Sequence, residues 1–229
     1  IVHTGHTLAY DSHNKTPQWV AWELTREETE GQEQRTNIFQ PDPNLRNGQV
    51  EHSDYTHSGY DRGHMAPNHA IVSRFGDDER RKTFMMTNIS PQTPALNRGV
   101  WRDVEHRIAD LWASKYGEIW VLVGCVPSAY GEKISGSDID IPDQYYQIIF
   151  AQQGLFVRAL AVLVPQRVPW DAWPQRYLVS IDEIEEISGL DFNPELPEFI
   201  QDPLEAELPS RLWPIRLTDI FKQIMIRFH

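Results

Sequence analysis

The sequence predicts an α+β fold with a mixed or antiparallel central sheet, because strand-like and helical segments are segregated along the chain. Three apolar strand-like segments stand late in the sequence, at about 118–126, 145–152 and 155–164. Two further extended segments, at about 59–64 and 84–89, come directly before one long helical segment, 98–116. Strand, strand and helix in this order form a ββα motif, and we expect that motif to carry the functional site.

The helix at 98–116 is predicted from the spacing of its apolar residues. They recur at i, i+3, i+7, i+10 and i+11, on one face of a helix: Trp101, Val104, Ile108, Leu111 and Trp112. Gly117 follows, and glycine is the residue type that most often ends a helix. Further along, Ser180 and Glu183 are typical of a helix start, and Gly189 is expected to end that short helix.

The whole chain, 1–229, is expected to form one domain. Residues 1–16 are polar and contain His3, His6 and His13, and we favour a flexible terminus over a metal site there. A loop is expected at 74–78. Residues 198–229 are predicted to be an acidic, proline-rich segment that runs extended over the surface and leads to a C-terminal helix. That helix either docks onto the core or forms a homodimer contact.

The most informative motif is Asp61-Arg62-Gly63-His64, at the end of the first extended segment of the ββα motif. It places a cation, a glycine and an imidazole within four residues. A cation stabilises the charge that develops on a phosphate under attack. A histidine, with an ordinary pKa of about 6.5, can accept a proton from water near neutrality. The motif therefore predicts chemistry at a phosphodiester.

Downstream residues strengthen this interpretation. An asparagine precedes a serine-proline-glutamine at 88–92, and Asn97 stands eight residues before Glu105. With these motifs the chain, from about residue 10 to 197, resembles the sugar-nonspecific DNA/RNA endonucleases, which have a ββα-metal fold. The resemblance implies Mg²⁺ as the cofactor, with Mn²⁺ as a substitute, and products with 5′-phosphate ends.

The resemblance also implies roles for single residues. His64 would be the general base and Asn97 the one direct protein ligand of Mg²⁺, unless Asn97 only caps the helix. Glu105 would orient metal-bound water rather than bind the ion, since it lies about 12 Å further along the helix axis. Arg62 would face the scissile phosphate, with a surface ion pair as the alternative. Asn88 would hold His64 or the phosphate in register, although a turn asparagine is nearly as plausible.

One position departs from the family pattern. An arginine commonly stands four residues beyond the helix glutamate, but this chain has Ala109. Arg102 or Arg107 would have to supply the second phosphate contact, although neither falls at the same place on a regular helix. A weaker grip on the substrate is therefore expected.

The net charge of −12 is unusual for a protein that binds nucleic acid. The acidity is regional, because residues 181–210 hold ten acidic residues and no lysine or arginine. The motif region is slightly basic, with eight basic and six acidic residues at 60–107. Composition therefore does not exclude DNA and RNA as partners.

Other features of the chain bear on its partners and compartment. No apolar run is long enough for a membrane span, and the single cysteine, Cys125, is expected to be buried on a strand. The chain begins at Ile1 without a leader, from which we expect a mature, secreted or periplasmic form. A protein inhibitor is conceivable.

The sequence as a whole predicts a Mg²⁺-dependent endonuclease that hydrolyses DNA and RNA. Two alternatives stay open: a degenerate nuclease fold that binds without cutting, and a phosphodiesterase for small substrates.

Overall fold

Two antiparallel sheets organise the protein in this computed structural model, which describes residues 1–25, 38–153 and 156–215. The six strands of the large sheet are, in spatial order, β1 (His6–Asp11), β2 (Thr16–Leu24), β5 (Ile119–Val126), β6 (Gln144–Gln153), β7 (Phe156–Pro165) and β8 (Leu178–Val179). A separate two-stranded sheet pairs β3 (Asp61–His64) with β4 (Ile89–Gln92). The predicted antiparallel sheet and α+β architecture are therefore confirmed.

Four helical stretches complete the architecture of the described residues. They are α1 (Asn68–Thr83), α2 (residues 96–116), α3 (Ile181–Ser188) and α4 (Glu198–Glu205). The four consecutive segments of α2 are Leu96–Trp101, Arg102–His106, Arg107–Trp112 and Ala113–Tyr116; the first and third have the wider turns of a π-helix. Short 3₁₀ turns stand at His52–Tyr55, Met86–Asn88 and Pro174–Tyr177. Such π-turns often occur near functional sites.

The large sheet has a different helical cover on each face. The apolar face of α2 packs on one side, together with residues of α1, and the predicted α2 core residues are all at most 3 % exposed. Helices α3 and α4 pack against the opposite side through Ile181, Ile184 and Leu204. Successive residues of β6 divide between the two faces: Tyr145 and Ile149 pack on the α2 side, whereas Tyr146 and Ile148 pack on the α3 side. The ββα motif and the acidic region 181–210 therefore lie on opposite sides of the sheet.

The prediction of a flexible N-terminus is wrong. β1 pairs with β2 along its length, with His6 opposite Trp22, and both side chains are buried. Glu79 of α1 accepts a hydrogen bond from the Gly5 backbone N–H at 3.0 Å and so holds the start of the chain against α1. Polar composition alone did not reveal this, because backbone pairing and packing satisfy polar residues that look solvated in the sequence.

Three local predictions also need correction. Residues 74–78 lie within α1 rather than in a loop; Gly76, at a φ of 78°, kinks the helix there. The second strand of the ββα motif is Ile89–Gln92, later than the predicted 84–89, since Met86–Asn88 form a 3₁₀ turn. Residues 198–205 form α4 despite Pro203, so the proline-rich segment is not extended throughout.

Other predictions are confirmed. Helix α2, the late strands and buried Cys125 occur where expected, and Gly117 follows α2 at a φ of 91°. Ser180 caps α3 by accepting a hydrogen bond from the Glu183 N–H, and Gly189 ends it in the left-handed conformation. The predicted C-terminal helix lies outside the described residues. No helix in the described part of the chain is both long and apolar enough to cross a membrane.

Candidate active site

The β3–β4 pair forms the floor of the candidate site and depends on a glycine. Gly63 lies opposite Ser90, and a Cβ atom on Gly63 would come within 2.4 Å of the Gln92 side chain. Gln92 is fully buried, so it has no room to retreat. The glycine of the motif is therefore required for the close approach of the two strands and not for a positive φ.

Hydrogen bonds fix β4 to the large sheet and to the start of α2. The Tyr145 hydroxyl donates to the Pro91 carbonyl and contacts Ser90 Oγ. Gln166 donates to the same carbonyl at 2.8 Å and accepts from the Thr93 N–H at 2.9 Å. All of these groups are buried or partly buried, so the contacts are shielded from water. The sequence motifs gave no sign of Tyr145 or Gln166, because both lie far along the chain.

His64 stands at the end of β3 in an aromatic pocket. Its ring packs edge-on against Phe84, with centroids 4.9 Å apart, and lies 5.6 Å from the ring of Phe39. Its Nε2 atom is buried and has no hydrogen-bond partner among the described residues. Burial lowers the pKa of His64 to about 4. The imidazole is therefore neutral at neutral pH and keeps a lone pair for a proton.

Arg62 lies beside the same phenylalanine. Its guanidinium is 5.6 Å from the Phe39 ring centroid and 5.5 Å from that of Tyr55, and Nη2 donates to the His52 carbonyl at 2.6 Å. The buried Nε atom has no partner among the described residues. The alternative of a surface ion pair is wrong, because the described contacts of Arg62 are with rings and a carbonyl. Arg62 is thus held by one nitrogen and retains donors for a ligand.

Asn97 is oriented by Asp61, the first residue of the Asp-Arg-Gly-His motif. Its Nδ2 donates to Asp61 Oδ2 at 3.0 Å, and Arg98 donates to both oxygens of the same carboxylate, at 2.7 and 2.6 Å. Burial raises the pKa of Asp61, but the Arg98 and Asn97 hydrogen bonds outweigh it and lower the pKa overall. An ionised carboxylate only accepts, so the amide nitrogen of Asn97 must face it and Oδ1 faces away.

Asn97 does not cap the helix. Its backbone N–H already donates to the Thr93 carbonyl at 2.9 Å, which places Asn97 inside the first turn. Thr93 precedes that turn, and its Oγ1 lies 3.4 Å from the Leu96 nitrogen. The alternative structural role for Asn97 is therefore wrong, and its side-chain oxygen remains available as a hard ligand.

Glu105 lies two turns further along α2. Burial raises the pKa of Glu105 to about 8. The nearby Trp101 indole and the charges of His69 and Arg102 oppose that rise in pKa. The Trp101 N–H is buried and makes no hydrogen bond of normal geometry with the described residues. A carboxyl group with a strongly raised pKa is typical of functional sites. The raised pKa does not fit a glutamate on a fully solvated helix face.

Asn88 is not placed to contact a substrate. Its Oδ1 accepts from the Ala66 N–H at 2.8 Å, and its Nδ2 donates to the carbonyls of Ala66 and Thr83 at 3.0 and 2.9 Å. The side chain is fully buried, and these three contacts use its amide group. These contacts do not include a direct position for Asn88 on a phosphate. Asn88 instead holds the chain two residues after His64, which is the register role that the sequence also allowed.

The three residues considered for the second phosphate contact differ in exposure. Ala109 is 8 % exposed and belongs to the core, so this position does not face a substrate. Arg107 is buried too, pairs with Asp103 at 3.2 Å and lies 4.9 Å from the Trp173 ring centroid. Arg102 is exposed, and its guanidinium has no hydrogen bond or ion pair with the described residues. Of the two arginines that the sequence offered, only Arg102 can reach a ligand.

A cluster of three carboxylates stands elsewhere. Asp182, Glu185 and Glu205 bring oxygens within 4.8 Å of one another. They belong to α3 and α4, on the face of the large sheet opposite α2. This cluster is therefore separate from the ββα motif.

Together, the β3–β4 pair and α2 bring an ionisable histidine, an arginine and an oriented asparagine to one motif, as in the ββα-metal nucleases. A solved structure of an EndoG/EndoGI complex is similar to the chain with a TM-score of 0.77 over 87 % of each chain, at 23 % identity. This likeness confirms the predicted fold.

The chain belongs to the DNA/RNA non-specific endonuclease family, whose model matches residues 1–199. It is 32 % identical over 207 residues to the mitochondrial nuclease EXOG of Xenopus laevis, covering 83 % of this chain and 57 % of that protein. A nuclease of Nostoc sp. is 31 % identical over 92 % of this chain and 78 % of its own length. Human mitochondrial endonuclease G is 29 % identical over 83 % and 68 %, respectively. The chain thus spans little more than half the length of the EXOG nuclease. Several relatives are mitochondrial by name, and the secreted or periplasmic compartment expected from the sequence stays a prediction.

Proposed function

We propose that the protein is a metal-dependent endonuclease that hydrolyses phosphodiester bonds in DNA and RNA, with Mg²⁺ as the metal and Mn²⁺ as a substitute. The observation that carries the proposal is the Asp61–Asn97 hydrogen bond of 3.0 Å, which turns a carboxamide oxygen outward on the motif that carries His64. Family membership supports the reaction class.

The donor set fits a hard cation. Asn97 would hold Mg²⁺ through Oδ1, since hard oxygen ligands suit this ion and its remaining positions are commonly filled by water. When bound, the ion would supply Lewis-acid stabilisation of the negative charge that develops on the phosphate. Glu105 would orient water near the ion, and a nearby divalent cation would favour its ionised form.

His64 would act as the general base. Its neutral imidazole and unpartnered Nε2 can accept a proton from an attacking water. Without a counter-charge nearby the protonated form is unfavourable, which explains the low pKa. The phosphate of a bound polymer would bring that negative charge and stabilise the imidazolium as it forms.

Arg62 would bind the scissile phosphate. Its guanidinium is fixed by two aromatic rings and one carbonyl, so little conformational freedom is lost when a phosphate docks on its other donors. Departure of the 3′-oxygen would leave a 5′-phosphate, as the resemblance to the family implies. A protein inhibitor also belongs to this proposal, since one similar structure is described as an EndoG/EndoGI complex, whereas the homodimer stays a prediction from the sequence.

The test is single-turnover cleavage of plasmid DNA and of RNA with Mg²⁺ or with EDTA. His64→Ala is expected to lower the rate by at least about 10²-fold without weakening binding, because a general base acts mainly in the transition state. His13→Ala is the matched control, since His13 is an exposed histidine in the β1–β2 turn. Rates of His64→Ala within tenfold of the parent would refute the assignment.

Asn97→Ala completes the experiment by testing the metal ligand. The substitution is expected to abolish most Mg²⁺-dependent cleavage, with partial rescue at excess Mg²⁺. Unchanged Mg²⁺ affinity by calorimetry would remove Asn97 from the metal site. Cleavage of dinucleotides as rapid as cleavage of polymers would favour a phosphodiesterase for small substrates.

A further inference from the structure

A row of ionisable residues follows one side of α2 next to Glu105. Arg102, His106 and Asp110 stand four residues apart, which places them along one side of the helix. His69, at the start of α1, reaches the same row. Its Nε2 lies 3.0 Å from Asp110 Oδ1, and Nδ1 of His106 lies 2.6 Å from Asp110 Oδ2. One carboxylate is therefore shared by two imidazoles.

This row borders the candidate active site and is open to solvent. Both His69 and Arg102 interact electrostatically with Glu105. The side chains of His69, His106 and Asp110 are 58 %, 33 % and 38 % exposed. Arg102 is exposed as well. The mechanism proposed above does not use these four side chains.

The carboxylate of Asp110 determines which ring nitrogens of His69 and His106 must carry a proton. Burial raises the pKa of Asp110, but the hydrogen bonds and charges of His106 and His69 hold it well below its ordinary range. Asp110 therefore stays ionised, and each imidazole must present an N–H to it. A neutral imidazole has only one N–H, so the Nε2 of His106 then carries a lone pair and repels an anion. A protonated His106 donates from both nitrogens and can bind a phosphate.

The net charge of these four residues follows from the protonation states of His69 and His106. With both histidines neutral, Arg102 and Asp110 cancel, whereas protonation of both gives a net charge of +2 for the four residues. Among the described residues, half-buried Glu105 adjoins the row, and because its pKa is raised to about 8 it also loses its charge towards acidic pH; Asp103 and Arg107 pair with each other. Neither neighbouring group offsets the positive charge that the histidines gain.

We propose that Arg102 and His106, with His69 held through Asp110, form a binding site for a backbone phosphate of the nucleic acid outside the scissile bond. The proposal rests on the proposed function, since it assumes a polymeric substrate at the ββα motif. The site takes the place of the phosphate contact that buried Ala109 does not provide. Because His106 needs a proton to donate, the grip on the polymer tightens as the histidines become protonated.

The experiment measures binding of a short fluorescent DNA duplex in EDTA, where cleavage is prevented. Affinity is recorded against salt concentration at about pH 5.5 and about pH 8, on either side of the ordinary histidine pKa. For the parent, the slope of log K against log salt is expected to be steeper by about one to two units at the acidic pH. Arg102→Gln should reduce the slope by about one unit at both pH values.

The double variant His69→Asn/His106→Asn is expected to lose most of the difference between the two slopes, the remainder being the part that Glu105 contributes. His13→Asn should behave as the parent, since it removes an exposed histidine remote from α2 along the chain. A double variant that keeps the full pH difference would overturn the proposal, as would an unchanged slope in Arg102→Gln. Circular dichroism of each variant verifies folding, which exposed substitutions should not disturb.

Plasmid cleavage with Mg²⁺ separates this inference from the proposed function. Cleavage together with a pH-independent salt slope would refute the phosphate site alone. Absence of cleavage, with a slope that still depends on these residues, would refute hydrolysis and leave the phosphate site standing.

Discussion

Removal of Asp61 should weaken the metal site without touching the reacting atoms. Asp61 accepts the hydrogen bond that turns the Asn97 amide, and it also holds Arg98. Asp61→Ala leaves Asn97 free to choose between two amide orientations and about three χ1 rotamers, of which only one combination presents Oδ1 correctly. This freedom alone lowers, by about sixfold, the fraction of molecules in which Asn97 presents Oδ1 to the metal position.

The strength of the lost Asp61–Asn97 hydrogen bond sets the upper limit of the expected rise in the Mg²⁺ requirement. A hydrogen bond to a charged group contributes about 1.5–3 kcal/mol, equivalent to about 10- to 100-fold in orientation. The Mg²⁺ concentration that gives half-maximal cleavage should therefore rise between about sixfold and about 100-fold. The maximal rate at saturating Mg²⁺ should stay within about threefold, since Asp61 would act through Asn97 only. Asp61→Asn keeps a neutral acceptor and should shift the half-activating concentration less, by about fivefold or under.

Initial rates of plasmid nicking across a Mg²⁺ titration provide the assay. Arg98→Gln is the control, because it removes the other partner of Asp61, an exposed side chain, and should change half-activation by no more than about twofold. A lower maximal rate in Asp61→Ala with an unchanged half-activating concentration would refute this reasoning. Asp61 would then have to act on the substrate or on the fold rather than on the metal ligand.

Two further predictions concern stability. Gly63→Ala should lower the free energy of unfolding by about 1–3 kcal/mol, because the new Cβ meets the buried Gln92 side chain; an unchanged free energy of unfolding in urea denaturation would contradict the packing argument. Burial, together with the nearby charge of His3, lowers the pKa of His6 to about 3. The unfolded chain therefore binds this proton more tightly than the folded protein, and the free energy of unfolding falls as the pH drops from about 6.5 towards 3. His6→Gln should remove about 2–3 kcal/mol of the loss measured between about pH 7 and pH 4.5, and identical pH dependences in parent and variant would exclude His6 as the titrating group.

The elements that the sequence predicted well are those whose cause is local. The apolar spacing of Trp101, Val104 and Ile108 specifies α2 because a helix repeats every 3.6 residues, and Gly117 supplies a conformation that other residues avoid. The Asp-Arg-Gly-His motif was informative for the same reason, since its residues lie within one strand. Its glycine also has a packing cause that became visible only with Gln92 in place.

The parts that the sequence did not predict depend on distant partners. Strand β1 looks polar, but His6 is buried because it pairs with Trp22 on the next strand. Asp61 accepts a hydrogen bond from Asn97, which lies 36 residues further along the chain. The side-chain amide of Asn88 is hydrogen-bonded to backbone groups of Ala66 and Thr83. No short window of sequence contains these contacts. The motif thus revealed which residues to consider, whereas their roles depend on the tertiary structure.

The separation of charge between the two faces of the large sheet has a consequence for how a polyanion meets the protein. The α3–α4 region, with ten acidic residues at 181–210, lies behind the sheet, and the slightly basic motif region lies in front of it. A nucleic acid that approaches from behind is repelled at distances of about one Debye length, about 10 Å at moderate salt. Approach from the front meets no such barrier. For the nucleic-acid substrate proposed above, the acidic α3–α4 region would therefore act as an orienting device during diffusion, raising the share of collisions that arrive at the ββα motif although the protein as a whole repels a polyanion.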